Sequence, residues 1–433
     1  SLYFAVSLIR VCGKGRLRSA PAGDMVGGPM QTRATTLNKK VFTTLFFSLF
    51  VTITGVGIVV PLLPVYAHTL GAGGFAIGLI FGAFSLSRTV LLPYFGRLSD
   101  RKGRKPFILT GLFCYALVSL AFTFADSVTT LIVIRFFQGA SSAMIMPVVQ
   151  AYVGDITPVN REGFVMGLFN MSMFLGLSLG PLLGGMINDR FSLTTAFVCM
   201  GALSLVGFGL SLRLLPPTRE ERVTTESSQP TGWRHILGDR GIALLAFFRF
   251  AYTAAIGIIW GFLPVLASDE LELSNTAIGL LVMLGVFVSG LAHVPMGYLA
   301  DRASKRVMMT VGGSLVALSM LSYLWVDSFW GLFGANLVFG LGGGISMPPL
   351  MALSVIKGNQ LEAMGSVMAL LTMAHSLGML CGALLAGVMM DLFALRHAFP
   401  LGAVLMAACV IWLLASPEHV LSTAPERSRE AAA

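Results

Sequence analysis

The sequence predicts an all-α membrane protein with twelve transmembrane helices in two pseudo-symmetric six-helix bundles. Three observations predict this fold. Only 11% of the 433 residues are charged, whereas soluble domains carry about 25%. The apolar residues fall into runs of about 20, the length needed to cross a bilayer. The chain also repeats itself once. These features exclude a soluble enzyme and a nucleic-acid-binding module, so the net charge of +9 is interpreted as a signal of topology.

The predicted spans are separated by short polar segments, with one longer exception. They cover residues 41–67, 75–96, 107–125, 129–153, 163–187, 192–213, 241–267, 275–299, 307–325, 329–353, 363–390 and 397–416. Residues 214–240 are rich in charge, Ser, Thr and Pro, which predicts a cytoplasmic linker between a bundle at 41–213 and a bundle at 241–416. Residues 1–40 are expected to be a disordered or partly mis-started tail, and residues 417–433 a cytoplasmic tail.

Lys and Arg are distributed unequally between the two ends of these spans. If both termini are cytoplasmic, only Arg190 and Arg396 of the 29 Lys and Arg lie outside, and Arg88, Arg135 and Arg249 fall within spans. All the others lie inside. The positive-inside rule therefore predicts a multi-pass protein of the inner (plasma) membrane with both termini cytoplasmic.

The second half of the chain repeats the first at an offset of about 201 residues. Residues 96–101 align with 297–302, and residues 131–139 align with 332–340. At a nearly equal offset, glycines 176, 180 and 185 align with glycines 378, 382 and 387. Two similar halves with one topology imply a pseudo-two-fold axis along the membrane normal, and a central site about which the bundles can rock.

The loop after the second predicted span reads GRLSDRKGRK, with the candidate gating residues Gly96, Asp100, Arg101, Gly103 and Arg104. It resembles the loop signature of the major facilitator superfamily, and the resemblance extends over residues 41–416. The resemblance implies that Asp100 contacts the cytoplasmic start of the eleventh helix, where the helix dipole favours an anion. Breaking this contact would accompany the conformational switch. A basic loop without a gating role is the alternative. A weaker second copy of the motif keeps Asp301 and Arg302.

The segment LIVIRFFQGASSA at 131–143 resembles the helix-4 motif of the same family. Its Arg135 and Gln138 are three residues apart and so share a helix face. A charge at this depth usually faces a cavity or a partner, which predicts that Arg135 serves the cavity. The alternative is a buried arginine tied to backbone carbonyls.

The segment GLSLGPLLGG resembles the helix-5 signature of the antiporter branches, with the candidate residues Gly176, Gly180, Pro181, Gly184 and Gly185. Glycines four residues apart permit close helix contact, and proline can kink the helix. The segment GVGIVVPLLP at 55–64 is similar to the start of the twelve-helix drug:H⁺ antiporter branch. Both resemblances imply efflux by antiport.

The predicted spans contain no Asp or Glu away from their ends, whereas proton-coupled exporters of cationic drugs commonly place one there. The interior instead offers Arg88, Arg135, Arg249, His293 and His375, which favour an anionic, zwitterionic or neutral substrate over a cation. If protons are coupled, a histidine is the natural carrier because it titrates near neutral pH. A hydrogen-bonded packing role is the alternative for each histidine.

Helix 7 carries Arg249, Tyr252 and Trp260 at helical spacing. A cationic and aromatic stripe facing the cavity would bind the carboxylate and ring of a substrate. Ordinary interface or core positions are the alternative for the two aromatic residues.

These observations predict a secondary active transporter that exports a small amphipathic compound or drug by alternating access. Protons, the lipid bilayer and the small-molecule substrate are the expected partners, and a monomer is expected to function alone. One alternative is an exporter or uniporter of an organic anion or sugar metabolite. Another, from a different class, is a transporter-derived sensor or scaffold. The sequence contains no catalytic, phosphate-binding or metal-binding motif, so no enzyme activity, cofactor, metal or nucleic-acid partner is expected.

Overall fold

The computed structural model describes residues 37–157, 162–216, 238–361 and 363–417. Within these ranges, the side chains of residues 100, 162–164, 167, 364 and 365 are outside the description. The linker prediction at 214–240 and both tail predictions therefore fall almost entirely on residues outside the described part of the chain, and they stay predictions.

Twelve long helices make up most of the described residues. They are α1 (Lys39–Val59), α2 (Gly74–Lys102), α3 (Arg104–Ala121), α4 (Val128–Asp155), α5 (Glu162–Arg190), α6 (Leu193–Leu214), α7 (Arg240–Asp269), α8 (Asn275–Ala300), α9 (Lys305–Ser322), α10 (Phe329–Gln360), α11 (Met364–Leu392) and α12 (Phe399–Ala415). A short helix, Leu62–Thr69, continues α1 beyond Pro61, and 3-10 turns follow α3 and precede α12.

Eleven helical segments in the described ranges are long and apolar enough to cross a membrane. The helix that does not qualify is α9, because its 18 residues begin with Lys305 and Arg306 and end at Ser322. The structure therefore supports a multi-pass helical membrane protein, and the twelfth span stays a prediction.

Polar side chains fix where many of these helices begin. Asn38, Ser127, Ser192, Asp239, Ser274, Ser304 and Ser328 each precede a helix, and the side chain of each accepts a hydrogen bond from a backbone N–H in the first turn. Such caps satisfy amides that have no partner within the helix. Because these residues lie just outside the apolar runs, they mark the helix boundaries in the sequence.

The second half of the chain packs by the same helix pairs as the first. In the first half α1 packs on α5 and α6, α2 on α4, and α3 on α4 and α6. In the second half α7 packs on α11 and α12, α8 on α10, and α9 on α10 and α12. Across the halves, α2 packs on α11 and α5 packs on α8. These two cross-pairs also exchange when the numbering is shifted by six.

The two ends of the bundle differ in charge. One end carries Asp126, Asp189, Asp269, Asp327 and Asp391, and we call it the acidic end. The opposite end carries most of the Lys and Arg of the described helices, and we call it the basic end. Every described acidic side chain lies close to one of the two ends and away from the middle of a helix.

The motif at 96–105 is helical over most of its length, which corrects its interpretation as a loop. Helix α2 continues to Lys102, and the turn consists of Gly103, whose φ of +87° favours glycine. Hydropathy detects only the part of a helix that lies in the hydrocarbon, so it missed the last turns of α2, which are polar.

Candidate functional site

The two halves approach each other most closely near the acidic end. On the α2–α11 side, a Cβ at Gly78 would lie 2.6 Å from the carbonyl oxygen of Ala383. On the α5–α8 side, a Cβ at Gly279 would overlap the carbonyl oxygen of Pro181, and one at Gly185 would overlap that of Asn275. Glycine therefore permits backbone contact between the halves at both cross-pairs.

Two aspartates hold these cross-pairs together at the acidic end. Asp391, at the end of α11, accepts hydrogen bonds from the backbone N–H groups of Gly74 at 2.6 Å and Phe75 at 2.8 Å, which begin α2. Asp189, at the end of α5, accepts them from the N–H groups of Asn275 at 3.1 Å and Thr276 at 2.7 Å, which begin α8. We call these two contacts the carboxylate caps.

The carboxylate caps are favourable for two physical reasons. The first amides of a helix lack partners within the helix, and its dipole favours a negative charge at that end. The second cap is extended, because the side chains of Asn275 and Thr276 also donate to Asp189, at 2.8 and 2.6 Å. A third cross-contact lies nearby, where Nδ1 of His68 is 2.8 Å from a carboxylate oxygen of Asp269. The acidic end is thus closed by polar contacts between the halves.

Arg88 and His375 lie level with each other on α2 and α11. The helices are antiparallel, and a Cβ at Gly82 would lie 2.7 Å from a Leu380 methyl carbon. Counting six residues along α2 and five back along α11 reaches Arg88 and His375. The charge of Arg88 acts on His375, which agrees with this register.

Arg249 reaches the same level from α7. Helices α7 and α11 are parallel, and a Cβ at Gly378 would overlap the hydroxyl of Thr253. About one turn before these contact residues lie Arg249 and His375. Arg249 donates from Nη1 to the sulfur of Met347 at 3.0 Å, and its charge acts on His375.

His293 completes this group from α8. Its Nδ1 lies 2.5 Å from the carbonyl oxygen of Ser289, its ring centre is 5.0 Å from that of Phe174, and the charge of Arg249 acts on it. We call Arg88, Arg249, His293 and His375 the basic cluster. It draws on helices of both halves, and each of its side chains is half-buried.

Arg135 and Gln138 form a separate network inside the first half. Arg135 is buried and donates to the side-chain oxygen of Gln138 at 2.7 Å and to the carbonyl oxygen of Ile80 at 3.3 Å. Gln138 in turn donates to the hydroxyl of Tyr115 at 2.7 Å. The guanidinium also lies over two phenylalanine rings of α2, at 4.7 and 5.0 Å. Protein groups thus surround Arg135, and its service to the cavity stays a prediction.

The glycine-rich face of α5 contacts helix α1 of its own half. A Cβ at Gly180 would lie 2.6 Å from the Cα of Gly57, and Gly176 and Gly184 face the backbone of α1 in the same way. Pro181 and Gly185, in contrast, contact α8 of the other half. This short segment therefore packs on both halves at once.

Tyr252 and Trp260 do not continue the surface that carries Arg249. Tyr252 is buried within the second half, where its ring stacks on Phe339 with a centroid distance of 5.8 Å. Trp260 is half-buried and packs against the apolar core. The structure thus brings Arg249 together with the two histidines and separates it from the two aromatic residues.

The motif residues at the basic end are engaged locally. Arg104 contacts Asp155 at 3.1 Å and Ser99 at 3.0 Å, and the guanidinium of Arg302 lies 4.0 Å from the centre of the Tyr298 ring. Arg101 and Asp301 are exposed. The side chain of Asp100 lies outside the described residues, so its predicted contact with α11 stays untested.

The next residues of both motif copies cap helices, a role that sequence reasoning missed. Lys105 donates to the carbonyl oxygens of Leu212 and Leu215 at the end of α6. Arg306, 201 positions later, donates to those of Leu413, Leu414 and Ser416 at the end of α12. A cation is favoured at a helix C-terminus, and the repeat offset was a signal that could have shown this pairing.

Paired helical bundles with charged side chains between them are the architecture of a secondary transporter. A family model described as Major Facilitator Superfamily matches residues 45–257 and 245–432. The chain therefore belongs to the major facilitator superfamily, whose members are membrane transporters of small molecules and not enzymes.

Relatives and solved structures agree with this family. The chain is 27% identical over 372 residues to an MFS-type transporter of Methanocaldococcus jannaschii, covering 85% of this chain and 95% of that one. It is 24% identical over 391 residues to the quinolone resistance protein NorA of Staphylococcus aureus, covering 87% and 97%. The crystal structure of the human organic anion transporter MFSD10 superimposes with a TM-score of 0.62 at 19% identity, covering 87% and 99%.

Proposed function

We propose that the protein exports a small amphipathic compound across the plasma membrane by alternating access, in exchange for protons. The observation that carries alternating access is the pair of carboxylate caps, which join the halves at the acidic end through repeat-related contacts. Contacts made from one carboxylate and two amides can break and re-form without rearrangement of the apolar core. They are therefore suited to stabilise one state of a rocking transporter.

The positive-inside rule supports an orientation with the basic end and both termini in the cytoplasm. In this orientation the carboxylate caps close the outer side of the bundle. We further propose that α9 is the twelfth span and that the halves, 41–213 and 241–416, are related by a pseudo-two-fold axis, because their helix pairs match.

Two observations support export. The segment at 176–185 resembles the helix-5 signature of antiporters, and the chain resembles NorA, a quinolone resistance protein, over 87% of its length. For the coupling step we propose His375 and His293, since the described helices place no carboxylate at their level and histidine titrates near neutral pH. The protein would work as a monomer, because one chain contains both halves.

Everted membrane vesicles test this function. With an acidic interior, the vesicles should accumulate a fluoroquinolone or another amphipathic compound from a panel, and collapse of the pH gradient should abolish accumulation. His375→Gln should remove the dependence on the gradient, whereas His397→Gln, at the acidic end, should leave it intact. If no compound of the panel moves in response to the gradient, the export hypothesis is wrong.

A further inference from the structure

The basic cluster contains buried nitrogen atoms without a protein partner. No described residue offers a hydrogen-bond partner to Nε of Arg88 or to Nδ1 of His375, although both atoms are shielded from solvent. Polar atoms left unpaired in a protein interior are unfavourable and rare, and each calls for an explanation. The two atoms belong to side chains that lie level with each other on helices of different halves.

The charge of the basic cluster is not balanced by nearby carboxylates. Arg88 and Arg249 keep their positive charge under all ordinary conditions, because guanidinium groups do not deprotonate in proteins. On their own helices, the described acids nearest to the acidic end are Asp391 on α11 and Asp269 on α7, each more than three helical turns away in sequence. Like charges in a medium of low dielectric constant repel strongly, so an anion between them would be stabilised.

The surroundings of the basic cluster are apolar. Phe174 lies against the ring of His293, and Met347 lies against the guanidinium of Arg249. A polarizable sulfur and an aromatic ring suit the apolar part of a ligand. The guanidinium groups suit the two oxygen atoms of a carboxylate or sulfonate, which they can bind with paired hydrogen bonds.

We propose that Arg88, Arg249 and His375 bind the carboxylate or sulfonate of the transported compound, whose apolar part packs on Phe174 and Met347. The substrate class is thus an amphipathic organic anion. Since α2 belongs to one half and α7 and α11 to the other, the bound anion bridges the halves. This inference deepens the proposed export function and rests on it for the transport step, whereas the binding step requires no transport.

Equilibrium binding to the full chain in lipid nanodiscs tests the site. Three probes share one ring system and differ in charge: naphthalene-1-sulfonate, naphthalene-1-methanol and 1-naphthylmethylammonium. Isothermal titration calorimetry should show that the sulfonate binds at least about tenfold more tightly than the alcohol, and that the ammonium binds most weakly.

Substitutions then locate the anion. Arg88→Gln and Arg249→Gln should each weaken sulfonate binding by about tenfold and change binding of the alcohol by less than about twofold. Arg88→Lys, which keeps the charge, should retain the preference for the anion. Arg240→Gln is the matched control, because it removes the same charge from an exposed position on α7 and should have no effect. Size-exclusion profiles identify any variant that does not fold.

Several results would overturn the site. Equal affinity of the wild type for the sulfonate and the alcohol would do so, as would an equal loss of both in Arg88→Gln, or an effect of Arg240→Gln as large as that of Arg249→Gln. If Arg88→Gln does not fold, the preference measured in Arg88→Lys and Arg249→Gln decides the question. Anion binding without gradient-driven movement in vesicles would contradict the export function alone, and movement of neutral compounds without anion preference would contradict the site alone.

Discussion

Replacing Asp189 and Asp391 by Asn should shift the protein away from the arrangement in which the acidic end is closed. Asn is nearly isosteric with Asp and keeps one acceptor oxygen, so packing is preserved. The substitution removes the negative charge and one acceptor from each carboxylate cap. The open arrangement makes neither contact in our proposal and is therefore unaffected.

The size of the shift follows from the hydrogen bonds observed. Asp391 accepts two backbone hydrogen bonds, and Asp189 accepts two from the backbone and two from side chains. Hydrogen bonds to charged groups contribute about 1.5–3 kcal/mol, and a charge at a helix start adds about 0.3–1 kcal/mol. Since both carboxylates are exposed and Asn retains part of each contact, we expect about 1 kcal/mol per cap. The double variant should then shift the equilibrium by about 30-fold.

Distances between spin labels measure this equilibrium. Phe124 and Trp325 are exposed, lie at the acidic end, occupy repeat-related positions in the two halves, and are not involved in the carboxylate caps. Labels on Phe124→Cys and Trp325→Cys, in a background without the five native cysteines, should show a larger population at long distance in the double variant. Each single variant should show about a fivefold shift.

Asp126→Asn is the control, because this carboxylate is exposed at the same end but outside both caps. The reasoning would be refuted if the double variant gave the same distance distribution as the wild type. It would also be refuted if Asp126→Asn produced a shift of the same size, since a general charge effect would then explain the result.

Three further substitutions test the packing described above by thermal unfolding in detergent. Gly180→Ala should lower the free energy of unfolding by about 1–3 kcal/mol, because its Cβ would lie 2.6 Å from the backbone of α1. Gly209→Ala, where the added Cβ meets no described atom within 4 Å, should be neutral or stabilising. Gln138→Ala should cost about 1–3 kcal/mol, because the buried guanidinium of Arg135 loses its side-chain acceptor. Arg306→Ala should increase proteolysis at the end of α12, because three carbonyl groups lose their donor.

Each of these predictions has a contradicting outcome. Equal melting temperatures for Gly180→Ala and Gly209→Ala would show that α1 and α5 are not in close contact. A melting temperature of Gln138→Ala equal to that of the wild type would show that Arg135 has another acceptor. Unchanged proteolysis of Arg306→Ala would show that the end of α12 is held by other contacts.

Much of the fold could be predicted because burial in lipid imposes a simple pattern. A helix in hydrocarbon must be apolar over about 20 residues, and the predicted spans fall on the helices observed. Helix ends were less predictable, because a helix can continue beyond the membrane with charged residues, as α2 does to Lys102. The count of spans met the same difficulty at α9, whose first residues are Lys305 and Arg306.

The candidate site was predictable in its residue types and less so in its geometry. Sequence reasoning selected Arg88, Arg249, His293 and His375 because they are polar within apolar runs. It could not show that they lie at one level, since that depends on the register between packed helices. It also grouped Arg249 with Tyr252, because helical spacing does not distinguish a face that lines a cavity from one that packs within a bundle.

The carboxylate caps were missed for a related reason. Asp189 and Asp391 were assigned to span ends, and nothing local in the sequence shows that each meets the start of a helix in the other half. A signal was nevertheless present. The offset that aligns Gly176 with Gly378 also aligns Asp189 with Asp391, and matched acids at matched helix ends indicate a shared role.

The carboxylate caps have a consequence for how the two halves recognise each other. The first half supplies an aspartate to the second and receives one from it, and each aspartate meets the two leading amides of a helix. An interface in which each side offers the same elements to the other is isologous, the kind that two identical chains form around a two-fold axis. The peptide link between the halves is then not what aligns them. Residues 1–216 and 238–433, produced as separate polypeptides in one cell, should therefore assemble into a working transporter.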